Sequence, residues 1–358
     1  MNTQAKRIEE YDMLRVIVTL LVIVGHSTYY AISTPYGGIN YAETFDLNTN
    51  VFCRISRMLS NFIYTFHMPL FMALSGGLFF RSIEKGKLTF RTLLLAKAKR
   101  LLIPFVIVTL LYSFPLKLVS GYYAESENIL KDLILGQLLI QGNSHLWFLI
   151  ALFLIFLWIF ALESKIKGKK ISKFLILFLL AELSQLVSLK LLQYPLQYAV
   201  WFYAGYCFEE HRNAFNALLK KTFVILNGAI LAVSFYAEAH FSANANDLNT
   251  VLFIEILKVI SIISGCIFTY GIAFYLSQTK IKKYSLYKVW ANNSFGIYLY
   301  SDPWNYVILA IIFHTVGNMV FTSNVIYIFV YIGRIIITTT LAIITSLILR
   351  KFHLKYLV

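Results

Sequence analysis

Apolar residues in this chain do not alternate. They run in blocks of about twenty, separated by short polar segments rich in Lys and Arg. A helix needs roughly 20 apolar residues to cross about 30 Å of hydrocarbon. Ten blocks meet or approach that length: 12–31, 60–80, 101–120, 145–162, 172–191, 195–209, 222–241, 251–276, 290–313 and 325–349. The sixth is the shortest and opens on Pro195. The stretch Ile129–Ile140 is also apolar but too brief to cross, so it is expected at the interface. This pattern predicts an all-α bundle of about ten transmembrane helices, organised as a single integral-membrane domain over residues 1–358. The longest outer loops, about 32–59 and 120–144, are too short to fold alone. No cleavage-like small residues follow Ser27-Thr28-Tyr29-Tyr30, so the first block is expected to stay in the protein.

Composition sharpens this picture. Of 358 residues 59% are hydrophobic and only 14% charged, where soluble domains keep about 25% charged; a soluble enzyme is excluded. Cys53, Cys207 and Cys266 have no framework spacing. A net charge of +15 would suggest nucleic acid in a soluble protein, but here the cations sit between apolar blocks. With a cytoplasmic N-terminus, 24 of the 32 basic residues fall on one side, from Lys6 and Arg7 through to Arg350, Lys351 and Lys355. Loops on the cytoplasmic side of a membrane, facing anionic lipid, carry such an excess. Both termini are therefore expected to be cytoplasmic, with membrane lipid and not nucleic acid as the partner.

Ionisable side chains inside a membrane helix cost about 2.5 kcal/mol or more and so mark a cavity, a partner or a function. Six stand out: Arg15, His26, His67, Glu182, Asp302 and Arg334. Arg15 and His26 are eleven residues apart, three turns plus about 20°, so they share one face roughly 16 Å apart. Asp12 and Thr19 lie on much the same face, making a polar stripe that climbs the first span. The same spacing also suits a snorkelling Arg15 paired with Asp12 and a His26 that only bonds between helices. His67 on the second span is expected near the depth of His26. Two histidines without a third ligand do not make a recognisable metal site, and no metal is expected. Asp302 and Arg334 are expected to pair, and Glu182 has no partner visible in the sequence.

These residues resemble a family, the acyltransferase-3 group of integral-membrane O-acyltransferases that modify bacterial cell-surface sugars. The likeness rests on Asp12-Met13-Leu14-Arg15 with His26, on Phe66-His67-Met68-Pro69-Leu70-Phe71 with Ser75-Gly76, and on Lys99-Arg100-Leu101-Leu102-Ile103-Pro104. It extends to His145-Leu146-Trp147-Phe148-Leu149, Trp201-Phe202-Tyr203-Ala204-Gly205-Tyr206 and Asn293-Ser294-Phe295-Gly296-Ile297-Tyr298-Leu299. Members often carry a His shortly after the late Tyr-Leu pair, where this chain has Tyr300-Ser301-Asp302-Pro303. The chain is similar to the compact form that has no fused extracytoplasmic domain.

The resemblance implies transfer of a small acyl group, usually acetyl, from cytoplasmic acyl-CoA, with acetyl-CoA as donor, to a hydroxyl of a surface sugar or lipid-linked glycan at the bacterial cytoplasmic membrane. Arg15, Lys97, Lys99 and Arg100 would hold the donor's phosphates, although topology alone also accounts for most of these cations. His26 would serve as general base, and His67 would position the acceptor or polarise the thioester carbonyl. Asp12, Tyr64, Trp147 and Asp302 are candidate substrate contacts, the two aromatics by stacking on a sugar ring. A transporter or flippase for a glycan or small anion is the competing expectation, since ten spans with central charges also describe carriers.

Overall fold

In the computed structural model the described residues are 8–42, 50–86, 88–142, 145–166, 168–243 and 247–358. Of the residues counted in the charge asymmetry, Lys6, Arg7, Lys87 and Lys167 lie outside the described residues. Ten long helices answer the ten apolar blocks: α1 Glu9–His26, α2 Val51–Glu84, α3 Phe90–Val119, α4 Trp147–Lys165, α5 Lys170–Leu183, α6 Lys190–Leu218, α7 Lys221–Ser242, α8 Leu248–Ser277, α9 Ser285–Thr315 and α10 Asn324–Lys351. Six of them, α2, α3, α4, α7, α8 and α10, are both long and apolar enough to cross a membrane. The other four, α1, α5, α6 and α9, are shorter or carry more polar residues.

Local chemistry sets the boundaries. Asn50, Asp247 and Ser323 each accept a hydrogen bond from a first-turn backbone N–H of α2, α8 and α10, and Thr89 with Thr92 forms a capping box at the start of α3, satisfying donors that a helix start leaves orphaned. Within α3, π-helical turns at Ala98–Leu102 and Thr109–Ser113 precede Pro104 and Pro115. A proline cannot donate to the carbonyl four residues back and crowds it; a widened turn absorbs both effects.

Three boundaries differ from the sequence pattern. The first span ends at His26, not residue 31, because the chain turns into an antiparallel hairpin, β1 Ala31–Thr34 with β2 Gly37–Asn40, the one departure from an all-α reading among the described residues. Gly37 sits there at a φ of +108°, and a Cβ on it would meet the Tyr122 carbonyl at 2.8 Å, so only glycine fits. The short sixth block is part of the 29-residue α6. The fifth is the 14-residue α5, about 21 Å long. Ile129–Ile140 forms a helical turn, Ile129–Lys131, running into a π-helical Asp132–Leu138.

α1 lies at the centre, packed by α2, α8 and α9. The most extensive helix contact is α2 with α6, and it depends on absent side chains. A Cβ on Gly76 would stand 1.9 Å from the Phe202 carbonyl oxygen, and one on Gly205 1.9 Å from that of Ala73. The backbones touch, which is how membrane helices associate when lipid removes any hydrophobic gain. Gly76→Ala and Gly205→Ala should therefore each lower thermal stability in detergent, by about 1–3 kcal/mol for overpacking. Gly333→Ala, where no atom lies within 4 Å, should be neutral or stabilising. Equal melting for all three would show that the crossing is not backbone-limited.

Candidate functional site

His26 is the last residue of α1, and that helix end is held by side chains from elsewhere. The carbonyls of a final turn have no intrahelical donors. Here Tyr331 Oη donates to the Val24 carbonyl at 3.3 Å, and Thr28 Oγ1 to that of Gly25 at 2.8 Å. The Arg334 guanidinium donates to the carbonyls of His26 at 3.4 Å and Tyr29 at 3.1 Å, and through Nε to Asn305 Oδ1 at 3.1 Å. Arg334 is fully buried. Its partners correct the expected Asp302–Arg334 pair: the guanidinium serves the negative end of α1, and the carboxylate faces other groups.

Those groups are two imidazoles and a phenol. His26 Nδ1 stands 2.8 Å from Asp302 Oδ1 and His145 Nδ1 3.1 Å from Asp302 Oδ2, both at contact distance without the alignment of an ideal hydrogen bond. Tyr29 Oη donates to Oδ1, and its ring tilts against His26 at 5.6 Å. The end of α1 with the turn after it, and the segment before α4, thus converge on one side chain of α9.

His145 reaches its place because α9 contains Pro303. The proline leaves the Leu299 carbonyl without its helical donor, and His145 Nε2 donates to that oxygen at 3.3 Å. Tyr298 Oη closes the clasp on the His145 carbonyl at 2.5 Å. Tyr298, Leu299 and Asp302 share one side of α9, so a single helical face holds His145 by ring and by backbone. Exposure separates the members of the trio. Asp302 and His145 keep 1% of their side-chain surface open and His26 13%, which makes His26 the member a substrate can reach.

His67 is buried in α2 and uses Nδ1 on the Ile63 carbonyl at 3.0 Å. A carbonyl only accepts, so Nδ1 carries the hydrogen and, in the neutral ring, Nε2 is an acceptor. The Tyr64 ring lies 5.0 Å from His67 and 6.3 Å from His26. A side chain on Gly25 would collide with it at 2.8 Å. Trp147 lies elsewhere, among Tyr194 at 4.4 Å and Tyr198 at 5.3 Å. Glu182 is exposed near the end of α5.

At the other end of the bundle is a cavity of about 640 Å³ lined by Asp12, Arg15 and Thr19 of the polar stripe. Lys97 and Arg100 line it as well, with Arg81, Lys85 and Arg350, whereas Lys99 is exposed outside it. Arg15 Nη1 stays 3.2 Å from Asp12 Oδ1. Thr19, Phe71 and Tyr298 are among the lining residues and His26 is not; it lies seven residues beyond Thr19, roughly 10 Å along the axis. The expected stripe thus divides into a cation-lined chamber and a buried centre above it.

Sequence reasoning placed His145 in a motif without a role and passed over Tyr29, Arg81, Lys85 and Arg350. Pro303 inside α9 is the available signal for His145, since a freed carbonyl in a membrane must find a donor.

A multi-pass helical bundle with a carboxylate–imidazole centre above a cationic chamber is the build of a membrane enzyme. The chain belongs to the acyltransferase-3 family, whose model, described as an acyltransferase domain, matches residues 8–348; the protein is a membrane acyltransferase. No curated protein and no solved structure matches it.

The capping geometry generates a stability test. Arg334→Met should strand the His26 and Tyr29 carbonyls and Asn305, costing on the order of 3 kcal/mol, read as a lowered melting temperature in detergent. Unchanged melting would mean that these carbonyls find other donors.

Proposed function

We propose that this protein is an O-acyltransferase that moves an acetyl or other small acyl group from acyl-CoA to a hydroxyl of a cell-surface sugar or lipid-linked glycan, with both termini on the cytoplasmic side of a bacterial inner membrane. The single observation that carries the reading is His26, whose Nδ1 lies 2.8 Å from a buried carboxylate and whose side chain keeps 13% of its surface exposed. A carboxylate 2.8 Å from Nδ1 favours the tautomer protonated there, which leaves Nε2 to act as the base.

In the reaction His26 Nε2 takes the proton of the acceptor hydroxyl as its oxygen bonds to the thioester carbonyl carbon. The tetrahedral oxyanion collapses, the C–S bond breaks, and the imidazolium returns the proton to the departing thiolate. Products are the ester and CoA thiol, and His26 ends as it began. Asp302 supports the transient imidazolium, and His145 and Tyr29 fix the carboxylate in turn. They act through it, so Asp302 is read as a positioning residue and not as a sugar ligand. His67 presents an acceptor nitrogen, which suits orienting a hydroxyl and not polarising a carbonyl.

The chamber fits a polyphosphate-bearing donor. Arg15, Arg81, Lys85, Lys97, Arg100 and Arg350 face it and Asp12 is the one acidic side chain among the described lining residues; guanidinium forks match phosphate oxygens in pairs. Passage of the thioester to His26 requires the side chains between the chamber and the centre, such as Phe71 or Tyr298, to move aside.

Two measurements test this. In purified protein with acetyl-CoA and glycan acceptor, His26→Ala should lower CoA thiol release and acetyl incorporation by about 10²- to 10⁴-fold while acetyl-CoA binding stays intact. Turnover within threefold of the parent would remove His26 from the chemistry, and a carrier would release no CoA at all. Arg15→Lys should raise the KM for acetyl-CoA about tenfold through loss of the bidentate fork, with little change in kcat. An unaltered KM would leave Arg15 as only Asp12's partner.

A further inference from the structure

α2 is 34 residues long, about 51 Å, and so extends beyond the roughly 30 Å of hydrocarbon. At 100° per residue, Arg57, Asn61, Tyr64, Met68, Phe71, Ser75 and Ser82 fall within about 80° of one another, a single stripe along the helix. Phe71, Ser75 and Ser82 line the cationic chamber. The same stripe continues past the reaction centre, where Tyr64 lies against His26, to the helix's opposite end. There Arg54, Arg57, Asn61 and Tyr64 are all exposed.

Two features of that end bear on what it meets. Neither Arg54 nor Arg57 has a carboxylate within ion-pair distance among the described residues. Both also stand at the end of the bundle away from the main basic segments, against the charge asymmetry that governs the rest of the chain. Arginine there is a fork matched to carboxylate or phosphate.

We propose that Arg54, Arg57, Asn61 and Tyr64 form the acceptor subsite, and that the acceptor carries an anionic group, a carboxylate or a phosphate, about 10 Å from the hydroxyl presented to His26. That separation is the seven-residue rise from Arg57 to Tyr64. Tyr64 supplies the plate on which the reacting sugar lies, and the guanidinia hold a neighbouring unit of the glycan. The inference rests on the transferase reading and names its substrate class: an acidic glycan, not a neutral one.

The test uses the full chain in phosphatidylcholine nanodiscs and three labelled oligosaccharides of equal length: one bearing uronates, one linked by phosphodiesters and one neutral. Binding is read without donor, and CoA thiol release is read separately, so the subsite and the transferase reading can fail independently. One anionic probe should bind about tenfold or more tightly than the neutral one, and which of the two does so identifies the anion. The Arg54→Gln/Arg57→Gln double variant should bind that probe no better than the neutral one, with acetyl-CoA affinity unchanged. Arg57→Lys should fall between. The proposal is overturned if the neutral probe binds as well, if no probe binds, or if the double variant keeps the preference. It is equally overturned if that variant's only effect is weaker retention of phosphatidylglycerol in mixed-lipid discs, which would assign the arginines to headgroups.

Discussion

One carboxylate organises the buried polar centre. A bare Asp in the apolar interior of a bundle is costly unless paired and hydrogen-bonded, and Asp302 accepts a hydrogen bond from Tyr29 Oη and has the imidazoles of His26 and His145 at 2.8 and 3.1 Å. These partners come from the end of α1, the approach to α4 and the turn after α1. Because each must arrive for the charge to be compensated, the packing of this end of the bundle and the assembly of the centre are the same event. A buried pair is weak evidence for stability; its value here is in specifying where three chain segments meet.

The end of α1 is the second constraint. Four successive structural demands fall on residues 24–29: the helix stops, its carbonyls lose their donors, the chain turns toward the hairpin, and the imidazole must face α9. Arg334 and Tyr331 from α10 answer the carbonyl demand, and Gly25 makes room for Tyr64. The last long helix thereby sets the position of a residue in the first.

The sequence shows the ten helical segments plainly, because an apolar block of twenty residues has few other fates. It also marks His26, Asp302, Arg334, His67 and Arg15 as unusual, since polar groups inside apolar blocks are costly, whereas Lys97 and Arg100 stand out only through the family resemblance. Partnership was not legible. Asp302 pairs with imidazoles and Arg334 with carbonyls because α9 and α10 both reach the end of α1, and helix adjacency is a tertiary fact that block lengths do not encode. His145, in the short segment before α4, carries no periodicity at all. Lys99 illustrates the converse: it shares the basic run of Lys97 and Arg100, but two residues on from Lys97 it faces the opposite side of the helix and lies outside the chamber.

Pro303 carries a consequence of its own. By withholding one amide hydrogen it opens a vacancy in the ladder of α9 that only an outside donor fills, and the donor is the ring of His145. An ordinary residue in its place would let the helix satisfy itself, and the imidazole would lose one of its two reasons to stay. The imperfection of this helix is thus an attachment point, and repairing it would untie a loop from the core.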